Sequence, residues 1–113
     1  MTSLSCLTLI IFMEASTQSD FTKSLVADVA IARATKEKLS ICESMKKPKS
    51  YSWQWDGKAT KVPLAELKKL EKVALQELKR AKIRNYLYFS NCSAGKRFKT
   101  KNKMIKSEKL CFY

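Results

Sequence analysis

Residues 63–84 read PLAELKKLEKVALQELKRAKIR, and they decide the fold because they form the clearest helical pattern in the chain. Pro63 suits the first position of a helix, Glu66 lies in the first turn, and basic residues crowd the end. On a helical wheel the apolar residues fill an arc of about 140°, interrupted by Glu71: Leu64, Leu67, Leu70, Ala74, Leu75, Leu78 and Ala81. The opposite side carries Lys68, Lys69, Lys72, Lys79, Arg80 and Lys82. Such a helix can pack its leucines on another helix, lie on an anionic membrane, or enter a groove on a partner.

A second helix is predicted upstream, over residues 20–47. The segment from Phe21 to Lys46 contains neither Gly nor Pro, and its apolar residues recur at helical spacing. Ser19 or Asp20 can cap its start, and Pro48 ends it. Its apolar face is thin because several of the residues are alanines, so this helix needs a packing partner.

Between the two helices, residues 50–62 read SYSWQWDGKATKV. Alternation places Tyr51, Trp53 and Trp55 on one face, and Asp56-Gly57 has the composition of a two-residue turn. The pattern predicts a small β-hairpin. Its aromatic face either packs in the core or serves as a recognition surface.

Both ends of the chain are predicted to be poorly ordered. The apolar run from Leu4 to Met13 has no base before it, which argues against a secretion signal, and it is too short to span a membrane. Residues 85–113 carry seven bases and one acid, and their self-repulsion predicts a disordered basic tail. The expected fold is mainly α, with helices at about 20–47 and 63–84 and a small β-hairpin at about 50–62. Residues 20–84 would form this unit, with an apolar and polar segment at 1–19 and the tail at 85–113.

The composition excludes much chemistry. The chain has 113 residues, a net charge of +13, no His and two Gly. Without His there is no Ser-His or Cys-His catalysis and no His-containing zinc site. Two glycines are too few for a glycine-rich phosphate loop. The sequence therefore predicts a non-enzymatic protein with no cofactor, metal or small-molecule substrate.

The four cysteines are Cys6, Cys42, Cys92 and Cys111, and no two of them form a C-x-x-C pair. Scattered reduced thiols are the expectation, because two disulfides would require an oxidising compartment. A cytoplasmic or nuclear location follows from the same reasoning.

The order of short elements in residues 51–78 resembles a region of a known family. Tyr51-Ser52-Trp53, Asp56-Gly57-Lys58 and Val62-Pro63-Leu64, followed by a leucine-rich helix, are similar to the segment ahead of the catalytic domain in some Rho GTPase-activating proteins. That domain would follow the helix and supply an arginine finger. Here a basic tail follows instead, so the resemblance implies a fragment or short form without GAP activity, and it assigns no catalytic residue.

The leading hypothesis for function is an interaction protein that binds an acidic protein surface by electrostatics through the basic helix and tail. The candidate binding residues are Lys68, Lys69, Lys72, Lys79, Arg80, Lys82, Lys96, Arg97, Lys99, Trp53 and Trp55.

Three alternatives stay open at this stage. Nucleic acid could bind the tail lysines through its phosphates and stack unpaired bases on the Tyr51, Trp53 and Trp55 face. An anionic membrane surface could bind the basic helix. The chain could also be a product with no selected function.

Overall fold

A computed structural model of the protein describes residues 2–47, 51, 63–80, 82–92 and 104–113. This part of the chain contains four helices and a three-stranded antiparallel sheet, which confirms the prediction of a mainly helical fold. The predicted arrangement of two helices is not matched. The elements are α1 (Ser3–Ala15), α2 (Asp20–Glu37), α3 (Ile41–Lys46), α4 (Leu64–Lys79), β1 (Phe89–Asn91), β2 (Ile105–Ser107) and β3 (Leu110–Phe112).

Helix α1 lies in the core, whereas the sequence predicts a poorly ordered segment over residues 1–19. The Thr2 hydroxyl caps the helix by accepting a hydrogen bond from the Ser5 amide at 3.0 Å. Helices α2, α3 and α4 all pack against α1. A helix that is apolar all round is stable when its neighbours enclose it, and each fully buried Leu or Ile contributes about 1.5–3 kcal/mol. The enclosed side chains include Cys6, Leu7, Leu9, Ile10 and Ile11.

The predicted helix over residues 20–47 is divided into α2 and α3. Lys38 ends α2 in the left-handed conformation, with φ 58°, and its amide donates to the carbonyl groups of the last turn. Ser40 then begins α3 through a capping box with Glu43, in which each side chain accepts from the other residue's amide. The Ser44 hydroxyl donates to Glu37 at 2.9 Å and so ties α3 back to α2.

Helix α4 confirms the helix predicted after Pro63, but it ends at Lys79 rather than at residue 84. Its buried face also differs from the predicted leucine arc. Val73 and Glu77 are buried beside Leu70 and Ala74, whereas Leu64 and Leu75 are exposed. The face turned inward is the one that packs against α1 and α2.

The sequence predicts a disordered tail over residues 85–113, whereas the described parts of this region contribute a sheet of order β1-β3-β2. Phe112 of β3 is fully buried and belongs to the same hydrophobic core as α1, α2 and α4. Glu108, in the turn between β2 and β3, accepts hydrogen bonds from the Ser19 amide at 2.6 Å and the Thr22 hydroxyl at 2.7 Å. These bonds hold the pKa of Glu108 below its usual range and fasten the turn to the start of α2.

Both cysteine pairs form disulfides, which contradicts the expectation of reduced thiols. Cys6 of α1 is bonded to Cys42 of α3, and Cys92 is bonded to Cys111 of β3. The partners are 36 and 19 residues apart, and the fold brings their Cα atoms to 5.4 and 5.2 Å. Sequence spacing does not reveal such pairs because they depend on how the helices and strands pack.

The predicted hairpin over residues 50–62 lies outside the described residues, apart from Tyr51. The Arg33 guanidinium lies over the Tyr51 ring, 5.1 Å from its centroid. A cation–π contact therefore connects this position to α2.

Candidate functional site

The outer face of α4 carries a row of apolar and cationic side chains, which we call the cationic stripe. Its members, Leu64, Lys68, Lys72, Leu75 and Lys79, recur every three or four residues and therefore share one helix face. The three lysines are exposed, as are 69% of Leu64 and 40% of Leu75. Among the described residues, no acidic side chain forms an ion pair with these lysines. The stripe is therefore an open surface of positive charge, with one apolar contact at its start, Leu64, and a second between its lysines, Leu75.

The other predicted binding residues fall into two groups. Lys69, Arg80 and Lys82 are exposed beside the stripe, and Arg80 is also paired with Glu77, with 3.3 Å between Nη1 and Oε1. The remaining five lie outside the described residues, so the structure does not place them relative to α4: Trp53, Trp55, Lys96, Arg97 and Lys99.

A buried cluster of two carboxyl groups and an arginine joins α2 to the segment after α4. Asp28 is fully buried on α2, and Arg84 Nε donates to its Oδ2 at 2.7 Å. The same guanidinium donates to the Ser24 hydroxyl at 2.9 Å and lies 3.7 Å from Glu77 Oε2. A buried carboxylate is tolerated when a cation and hydrogen bonds compensate it, and Arg84 supplies both.

Glu77 is the titratable member of this cluster. Burial, the hydrogen bond to Asp28 and the negative charge of Asp28 raise the pKa of Glu77 to about 7, although Arg80 opposes the shift. Two carboxyl groups can share a hydrogen bond when one of them is protonated. With its pKa raised to about 7, Glu77 keeps its proton to higher pH than an exposed glutamate does.

When the pH is raised from about 5 to about 8, we expect the free energy of unfolding to fall less in the Glu77→Gln variant than in the wild type. Between the ordinary glutamate pKa of 4.5 and about 7, the folded protein holds a proton that the unfolded chain has released. The free energy of unfolding therefore falls as pH rises through this window, by on the order of 1–3 kcal/mol from this group. Glutamine mimics the protonated form and removes this component. Urea unfolding at the two pH values measures the difference.

Glu66→Gln is the matched control, because it removes a carboxylate from the same helix about three turns away from Glu77. It should leave the pH dependence of the wild type in place. An equal loss of stability in Glu77→Gln and the wild type would contradict the shifted pKa of Glu77.

A cleft of about 540 Å³ opens between α2 and the end of α4. Lys36 and Thr35 contribute to its lining from α2, and Arg80 contributes from the end of α4. Its apolar lining comes from Ile31, Ala32, Leu78, Ile83 and Leu87. The cleft has the size of a ligand pocket, which is typically about 300–1,000 Å³.

Sequence reasoning did not identify Asp28, Arg84 or the cleft. One signal was present: Asp28 interrupts the apolar run LVADVAIA at residues 25–32, and an acid in such a run needs a buried partner. Its partner could not be found by the same means, since Arg84 comes 56 residues later.

Comparisons with known proteins add no assignment. A scan against protein-family models, a search of curated proteins and a search of solved structures each found no match. Within the residues that the structure describes, no group of three or more His, Cys, Asp or Glu side chains is suited to hold a metal ion. No helix in the same part of the chain is long and apolar enough to cross a membrane.

Proposed function

We propose that the protein is a non-enzymatic interaction protein that binds an acidic protein surface through the cationic stripe of α4. The observation that carries the proposal is the exposure of Lys68, Lys72 and Lys79 in one row without a described acidic partner. The net charge of +13 strengthens the attraction of acidic surfaces at long range. Leu64 and Leu75 add apolar contacts that orient the partner along the helix.

The packing of α4 favours a protein partner over a membrane. A membrane-surface helix inserts a broad apolar face into the lipid. In α4 that face contains Leu70, Val73 and Ala74, which are buried in the core. Two separated leucines on the outside, Leu64 and Leu75, provide too little apolar surface for insertion.

Two other hypotheses about function, nucleic-acid binding and a fragment of a Rho GTPase-activating protein, remain predictions. Binding of nucleic acid through the basic residues from Lys96 to Lys109 and the face of Tyr51, Trp53 and Trp55 depends mostly on positions outside the described residues. The resemblance to the region ahead of a Rho GAP domain has no support from the comparisons. Neither of these hypotheses explains why the lysines of the cationic stripe are exposed in one row.

We expect the triple variant Lys68→Gln, Lys72→Gln, Lys79→Gln to bind an acidic peptide about tenfold more weakly than the wild type. Each exposed pair contributes about 0.5 kcal/mol, so three pairs together correspond to about one order of magnitude in Kd. Fluorescence anisotropy with a labelled peptide of Glu and Ala, at low and physiological ionic strength, measures the change.

A second triple variant, Lys46→Gln, Lys106→Gln, Lys109→Gln, is the matched control. It removes the same charge from exposed lysines of α3 and the sheet region. Equal losses in the two triples would show that net charge, rather than the stripe, determines binding. Affinity that does not change with ionic strength would contradict the electrostatic mechanism. Tighter binding to a single-stranded oligonucleotide or to anionic vesicles than to the peptide would contradict the protein-partner assignment.

A further inference from the structure

Contacts between α2 and the segment that follows α4 stabilise the cleft between α2 and the end of α4. Arg33 Nε donates to the Leu87 carbonyl at 2.7 Å, and the Arg33 guanidinium also lies over the Tyr88 ring, 5.4 Å from its centroid. Ile83 and Asn85 line the cleft, and Arg84, which lies between them in the sequence, binds Asp28 of α2. The segment that forms this wall is therefore fixed to α2 at two points. A preformed cleft spares a ligand the free-energy cost of ordering the site.

The charges around the cleft determine which occupant fits it. Lys36 contributes to the lining from α2 and Arg80 from the end of α4. Glu77 is the acid in the lining and is paired with Arg80 through Nη1, but the Arg80 side chain is 43% exposed and keeps further N–H donors. With two cations and one acid beside its apolar residues, the cleft suits an apolar group that carries negative charge.

The cleft lies next to the end of the cationic stripe. The stripe ends at Lys79, and the next residue in the chain, Arg80, lines the cleft. A partner segment that lies along α4 would therefore come near the cleft at the end of the helix.

We propose that the cleft binds apolar side chains of an acidic peptide segment of the partner, with carboxylates on either side of them paired to Lys36 and Arg80. This inference rests on the proposed function and specifies the chemistry of the partner. Two cations on different elements, Lys36 on α2 and Arg80 at the end of α4, match a segment with carboxylates on both sides of its apolar residues. A fatty acid has one carboxylate and would engage only one of these two cations.

Two peptides and two variants test the inference. The first peptide is Glu-rich and carries two leucines one helical turn apart, and the second has alanine at those two positions and the same charge. Thr35→Trp fills the cleft from an exposed position on α2 without changing the charge. Gln76→Trp is the matched control, because it places the same side chain on an exposed position of α4 outside the cleft lining.

We expect the wild type to bind the leucine peptide at least tenfold more tightly than the alanine peptide. Thr35→Trp should remove this preference and leave the affinity for the alanine peptide within twofold, whereas Gln76→Trp should retain the preference. Both proteins are compared by circular dichroism and thermal unfolding, so that a loss of binding is not a loss of fold.

The outcomes separate this inference from the proposed function. Equal affinity for the two peptides, or equal behaviour of the two tryptophan variants, would overturn the assignment of the cleft while binding to the stripe persists. Binding of neither peptide would overturn the proposed function itself. If Thr35→Trp blocked binding of oleate but not of the leucine peptide, the cleft would be a lipid site and the inference would be wrong.

Discussion

Replacing Cys6 and Cys42 by serine should lower the free energy of unfolding by about 4 kcal/mol. The disulfide closes a loop of 36 residues, and the chain entropy that this closure removes from the unfolded state corresponds to that value. The bond also fastens α1 to α3, so its loss weakens the attachment of a core helix. Urea unfolding of the double variant against the wild type measures the change.

The second disulfide provides the comparison. Cys92 and Cys111 are 19 residues apart, so their replacement by serine should cost less, about 3 kcal/mol. Small domains have a total stability of about 5–15 kcal/mol, and loss of both bonds should therefore leave the chain marginally folded or unfolded. A reductant should destabilise the wild type and leave the four-serine variant unchanged. A urea midpoint of the wild type that is the same with and without reductant would contradict the disulfide pairing.

The two disulfides also provide a test of the predicted cytoplasmic or nuclear location. Disulfides persist in oxidising compartments and are reduced in the cytosol and nucleus. Because Cys6 and Cys111 are buried, thiol labelling after acid quenching of whole cells and denaturation of the protein would distinguish reduced from disulfide-bonded cysteines. Complete labelling of all four cysteines agrees with the predicted location, and complete protection contradicts it.

The sequence predicts individual helices well where one local pattern suffices. The leucine and lysine pattern after Pro63 correctly predicts α4. The break between α2 and α3 also has a local signal, because the motif Ser40-Ile41-Cys42-Glu43 matches a capping box. The absence of Gly and Pro in this segment nevertheless predicts one long helix. Helix α1 was missed for another reason. A short apolar run has no amphipathic period when the fold encloses it on all sides, and from the sequence it resembles a weak targeting signal.

The candidate site also contains a part that a local sequence pattern predicts and a part that it does not. The exposed lysines of the stripe could be predicted because they belong to one helix. The Asp28–Arg84 pair and the cleft could not, since they form between segments that are far apart in the chain. The buried face of α4 differs from the predicted leucine arc, since it includes Glu77, which is buried beside Asp28 and Arg84.

Phe112 is the sheet residue whose aromatic side chain belongs to the hydrophobic core cluster, and other sheet residues pack against that cluster. Phe112 is fully buried, and its ring lies 5.7 Å from the Phe89 ring and 6.4 Å from the Tyr86 ring, measured between centroids. Backbone hydrogen bonds continue past the strand, because the Leu87 amide donates to the Tyr113 carbonyl at 2.8 Å. Phe112 thus fixes the segment whose Leu87 lines the cleft.

We expect Phe112→Ala to lower the free energy of unfolding by about 3–5 kcal/mol, because it removes a large buried ring and leaves a cavity. Phe112→Leu keeps most of the volume and should cost less, so it provides a folded variant if the alanine variant does not fold. Met104→Ala, at a side chain that is 47% exposed, is the control and should change stability by at most about 0.5 kcal/mol. Urea unfolding measures all three. Hydrogen exchange adds a local test, since the Leu87 and Tyr113 amides should lose protection in Phe112→Leu before the amides of α1 do. A loss below about 1 kcal/mol in Phe112→Ala would mean that the sheet lies outside the core, and the disordered tail expected from the charge of residues 85–113 would then be the better description.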